Sequence, residues 1–203
     1  MRIAAAVLAT AGALGVLTGC TGGEPPPTAP TGSPAALSPA PEAAPAPAVC
    51  STAGWEAGAI EATGMSTDVL FAVRAGRHAC YDRVVFDMAG PSLVGFSARY
   101  VPEVAADASG LPVAVPGGAA LEVVVRAPAR GSDGGPALAA VGADFVDPAQ
   151  VANWGSLRGV RFAGSFEGQS TIAVGVRERL PFRVFSLVDP ERQTRRVVVD
   201  ISH

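Results

Sequence analysis

From Asp68 onward, apolar residues recur at every second position, in short runs that Gly and Pro interrupt. A period of two sends successive side chains to opposite faces of an extended chain, so each run has one face to bury and one to wet. The run Asp82–Met88 sets Val84, Phe86 and Met88 against Val85 and Asp87. Gly95–Val101 sets Phe96, Ala98 and Tyr100 against Ser97 and Arg99. Asp68–Arg77, Leu121–Arg126, Phe182–Leu187 and Arg196–Ile201 read the same way, rich in Val and Phe. Val160–Phe166 and Ser170–Val176 flank Glu167-Gly168-Gln169, a hairpin turn. Only Asp147–Trp154 has the pattern of a helical turn or two. Many short strands with turn signals between them predict an all-β fold, an antiparallel β-sandwich or a partly open barrel. An internal echo belongs to this pattern. Arg83-Val84-Val85-Phe86-Asp87 matches Arg196-Val197-Val198-Val199-Asp200. Arg and Asp at the same offset read either as neighbouring strands or as independent strand grammar.

The chain before Cys50 cannot fold this way. Residues 21–49 are dominated by Pro, Ala, Gly, Ser and Thr, a composition that buries no core and stays extended and hydrated. At about 3.1 Å per residue this segment reaches at most on the order of 90 Å. Before it, Met1-Arg2 supplies a positive start and Ile3–Val16 an uncharged apolar run. That run is shorter than the roughly 20 residues a bilayer core needs, and describes an export signal. The cut site is Leu17-Thr18-Gly19-Cys20, which resembles a bacterial lipobox. The resemblance implies diacylglycerol on Cys20, removal of residues 1–19, and an anchor on the outer face of the cell membrane. The expected organisation is therefore a signal peptide over 1–19, a lipidated tether over 20–49 and one domain over 50–203.

With Cys20 assigned to lipid, Cys50 and Cys80 remain, thirty residues apart and in a compartment where disulfides persist. A bridge across that separation contributes about 3–4 kcal/mol in the chain-entropy model. The competing reading, a metal site built on Cys50, His78 and Cys80, lacks the usual ligand spacing. No metal and no cofactor is expected.

The strand residues also carry a family likeness. Val73–His78 followed by Cys80–Asp87, then Gly95–Val101, Gly164–Gln169, Leu180–Phe185 and Val197–Asp200, together resemble the AMIN-like domain of actinobacterial envelope proteins. The likeness spans about residues 50 to 203. It implies a β-sandwich related to the AMIN modules found beside cell-wall amidases and secretins, with peptidoglycan or envelope machinery as the partner. No amidase domain accompanies the module here.

Composition narrows the function further. The formal net charge is −3, and all 15 basic residues are Arg. That balance argues against nucleic acid as a main partner, because phosphates demand a basic face. No G-x-S-x-G, H-E-x-x-H, Walker loop or dinucleotide fingerprint occurs. Asp82 and Asp87 point to opposite sides of one strand, which suits no paired-carboxylate chemistry. His203, the last residue of the sequence, is expected to fray. No catalytic residue is expected. Residues 158–203 carry eight Arg against five acids, and Arg161, Arg177, Arg179 and Arg183 gather around two strands and their turn. Those four are the candidate binding residues for carboxylates of wall peptides or anionic wall polymers. Trp55, Trp154 and Tyr100 are candidates for stacking on sugar rings. Gly131-Ser132-Asp133-Gly134-Gly135 reads as a loop. The expected function is a non-catalytic envelope lipoprotein module that binds peptidoglycan or a wall-associated protein. A carrier of a small or lipidic ligand between its sheets and an envelope hydrolase are the alternatives.

Overall fold

Among the described residues, the eight alternating runs and two short edge segments form ten strands in two antiparallel sheets, a β-sandwich rather than a partly open barrel. The computed structural model describes residues 50–129 and 138–203. Cys20, the leader, the tether and the loop at residues 131–135 lie outside the described residues. The larger sheet runs β1 (Ile60–Ala62), β4 (Phe96–Val101), β5 (Ala119–Val125), β8 (Gln169–Val176), β7 (Leu157–Phe166) and β6 (Asp144–Val146). The smaller runs β2 (Leu70–Arg77), β3 (Tyr81–Met88), β10 (Thr194–Ser202) and β9 (Phe182–Asp189). Between β7 and β8 the hairpin uses Glu167 at φ 49 and Gly168 at φ 78. Two positive φ values in a two-residue loop match the right-handed twist of the strands it joins. A four-residue helix, α1 (Pro148–Val151), sits where a helical turn was read; Asp147 caps it by accepting from Ala149 N at 2.8 Å, and Pro148 opens it.

The sheets pack through their alternate residues. Val84, Phe86 and Met88 of β3 meet Leu121, Val123, Ile172 and Val174 of the larger sheet in one fully buried core. Polar contacts of Asp82 cross this core. Asp82, at the inward face of β3, is fully buried. Its Oδ2 accepts from Ser156 N at 2.7 Å, Ser156 Oγ at 2.9 Å and Leu157 N at 2.8 Å. A carboxylate of one sheet thus holds Ser156 and Leu157, at the start of β7 in the other. His203 does not fray: its N donates to Cys80 O at 3.1 Å, and its ring fills the space that a side chain on Gly155 would need.

The two outer faces differ, and the difference positions the site. Residues 102–118, between β4 and β5, fold back over the larger sheet. They bury Val104, Ala106 and Val113 against Ala163 and Ala173. Gly159 and Gly175 permit that approach. A Cβ on Gly159 would stand 2.9 Å from Pro116 Cγ, and one on Gly175 would strike Pro116 O. No comparable connection lies over the smaller sheet among the described residues.

Candidate functional site

The antiparallel pairing of β3 with β10 turns the sequence echo into a charge pattern. Its register sets Arg83 opposite Asp200, Val85 opposite Val198 and Asp87 opposite Arg196. On either side, β9 places Arg183 beside Asp200, and β2 places Arg74 beside Val85. Two Arg–Asp–Arg groups result. Asp200, fully buried, accepts from Arg83 Nε at 2.6 Å and Nη2 at 2.9 Å, and from Arg183 Nε at 2.9 Å. Asp87 accepts from Arg74 Nε at 2.6 Å and from Arg196 Nε at 3.2 Å. Each group keeps one net positive charge, held still by a shared carboxylate. The aspartate bonds hold the guanidiniums of Arg74 and Arg83 above the usual arginine range.

Aromatic rings pack around the Asp200 group. The Arg183 guanidinium lies 4.5 Å from the centre of the Trp55 ring and 5.1 Å from that of Phe185. Arg83 lies 5.2 Å from Tyr81. His78 stacks on Tyr81 at 4.4 Å. Such cation–π contacts leave the guanidiniums charged while fixing their planes. Trp55 comes from outside the sheet and is held from two sides. Cys50 is bonded to Cys80, just before β3, and Phe182 N donates to Glu56 O at 2.9 Å at the start of β9.

The four arginines singled out from the sequence do not meet in one patch. Only Arg183 stands on this face. Arg161, on β7 of the other sheet, bonds Asp144 at 2.7 Å and Ala114 O at 2.6 Å. Arg177 pairs with its neighbour Glu178, and Arg179 covers the Tyr100 ring at 5.2 Å. Two of the stacking candidates also belong elsewhere. Trp154 packs on the core, and Tyr100 meets Phe182 edge-on at 5.6 Å. The basic face instead takes Arg74 and Arg83 from the half of the sequence richer in acids. The signal that could have found them was the echo itself, because an antiparallel partner with the same Arg-to-Asp spacing meets opposite charge at both ends. On the larger sheet, Asp107, Glu122 and Glu167 line a depression of about 340 Å3, where burial raises the Asp107 carboxyl above its usual range and the Thr171 hydroxyl at 2.9 Å opposes the rise.

Ser156, Asp82 and His203 come together at one end of the sandwich. In a nucleophilic triad the imidazole stands between serine and carboxylate. Here Ser156 is buried and donates to Asp82 directly, while His203 Nε2 is 3.7 Å from Asp82 Oδ1. The carboxylate organises backbone donors rather than an imidazole.

The domain is a small β-sandwich with one strapped face and one face of arginines and aromatic rings. A family model for the AMIN-like domain matches residues 68–203, more than half of the chain, and the protein belongs to that family. Membership makes it a cell-envelope, peptidoglycan-associated module. No curated protein and no solved structure matches the chain. The matched segment begins after Cys50, Trp55 and β1, so the ring over Arg183 is supplied by residues ahead of it.

Proposed function

We propose that this chain is a non-catalytic, lipid-anchored envelope module that grips peptidoglycan through the outer face of its smaller sheet. The carrying observation is the Arg83–Asp200–Arg183 group beneath Trp55, Tyr81 and Phe185. Ring faces pack on the apolar C–H faces of sugars, and fixed guanidiniums donate to the carboxylates of stem peptides. Lipid on Cys20 and the tether would give the domain a search radius of tens of ångströms from the membrane. Cys20→Ala is then expected to move the full chain from the membrane to the soluble fraction; retention in the membrane would remove the anchor from the proposal.

Wall binding is tested by co-sedimenting the full chain with purified peptidoglycan sacculi. The expected result is enrichment over a control lipoprotein. The pair Trp55→Ala and Arg183→Ala should reduce the retained fraction by about tenfold, the loss of one stacking and one charge-assisted contact. No enrichment of the unaltered chain would remove peptidoglycan as the partner and leave a wall-associated protein to be sought. Enrichment that ignores both substitutions would move the contact to another face.

A further inference from the structure

Beside the aromatic half of the face lies a hollow of about 280 Å3. Its rim carries Arg74, Arg83 and Arg196, its floor Val85 and Val198, and Gly76 lies along one side. Three guanidiniums line it and no carboxylate does. The arginines reach Asp87 and Asp200 through Nε, with Nη2 added for Arg74 and Arg83. Among the described residues, Nη1 of each makes no hydrogen bond. The hollow therefore offers three charged donors whose forks are already fixed, the arrangement that favours a planar anion. Its volume falls below the roughly 300–1,000 Å3 of pockets that hold drug-sized ligands, so the occupant is small. Val85 and Val198 are 6% and 2% exposed, which leaves apolar contact for a methyl group and not for a long chain. Gly76 pairs with Arg83 in the sheet and keeps that side clear; a Cβ there would meet only His78 Nε2, at 3.9 Å.

We infer that the hollow takes a carboxylate attached to a carbon bearing a short aliphatic group, and that its source is the terminal D-alanyl carboxylate of a wall stem peptide. The carboxylate and the methyl follow from the lining. The choice of peptide rests on the peptidoglycan reading above.

The test titrates the full chain with N-acetyl-D-alanyl-D-alanine, following the Gly76 amide and the valine methyls by NMR. The free acid should bind at least about tenfold more tightly than its C-terminal amide, the worth of one charge-assisted contact. It should also bind more tightly than the L,L acid. Gly76→Val, which fills open space on a strand, should abolish the shifts without lowering the melting temperature. Leu187→Glu places a carboxylate on the rim from an exposed position and should abolish them too. Equal binding of acid and amide, binding that survives both variants, or full displacement by equimolar inorganic phosphate would overturn the inference. Preference for the L,L acid would overturn the wall source and assign the hollow to a protein chain end. Sacculi retention separates the two levels. Retained sacculi without peptide binding sinks the hollow alone; failure of the unaltered chain to bind sacculi sinks the wall reading whatever the peptide does.

Discussion

Asp82→Ala is expected to lower the unfolding free energy by about 2–6 kcal/mol, the cost of leaving two buried backbone donors without their acceptor. Asp82 is fully buried and accepts from two backbone N–H groups and one hydroxyl. The hydroxyl has another acceptor, because Ser156 Oγ also lies 3.0 Å from Ile201 O. The two N–H groups have none. Each orphaned donor costs about 1–3 kcal/mol, since water cannot reach it. Removing the carboxylate also removes its own desolvation cost, which is why the total stays in single figures. Asp82→Asn keeps an acceptor oxygen and loses the charge, so roughly half the loss is expected. Denaturant unfolding checks both values. In a domain of this size the alanine variant should melt about 10 °C lower. A loss under about 1 kcal/mol would mean that the first residues of β7 find other acceptors, and that the inter-sheet contact is dispensable.

Asp82 also marks how far the sequence could be read. Alternation in Asp82–Met88 correctly separates Asp82 from Asp87, and the structure puts one inside and one outside. It does not tell which of the two is buried against a backbone turn, because Ser156 lies 74 residues away in sequence. The eight longer strands were legible because each has enough positions to show a period of two. Two edge strands, β1 and β6, were missed: each has three residues, too few for any period. The fold class and the disulfide were thus readable from local pattern and cysteine arithmetic. The arginine face was not. Its charges come from four strands whose order joins β3 to β10, with Arg83 and Asp200 117 positions apart in sequence. Grouping arginines by nearness in sequence put Arg161, Arg177 and Arg179 with Arg183, and strand order separates them. The echo held the missing information, since Arg and Asp at matching offsets are complementary only when the strands run antiparallel.

Replacing Cys50 and Cys80 together by Ser is expected to reduce stability by about 2–3 kcal/mol, less than the 3–4 kcal/mol that loop closure alone would give. The shortfall has a structural cause. Once unstapled, the contacts that hold residues 50–59 to the sheet include the Glu56–Phe182 backbone bond, the Trp55 stack on Arg183 and the Trp55–Tyr81 ring contact. A backbone bond contributes about 1 kcal/mol and a partly exposed cation–π contact about as much. Ordering each residue of the segment costs about 1–2 kcal/mol, so over the whole segment the ordering cost exceeds what contacts of this size return. The native state then relaxes by releasing the segment, and part of the entropy that the bridge suppressed in the unfolded chain is recovered in the folded one. Trp55 therefore leaves Arg183 without global unfolding. In a Trp154→Phe background, where Trp55 is the remaining tryptophan, acrylamide should quench the double serine variant much more efficiently than the bridged protein. Retention on sacculi should fall as far as it does for Trp55→Ala, because both changes remove the same ring from the same guanidinium. If quenching is unchanged and stability drops by the full loop-closure amount, the bridge stabilises the fold but does not place the ring. Trp55 would then keep its place over Arg183 without the bridge, and retention on sacculi should stay at the level of the bridged protein.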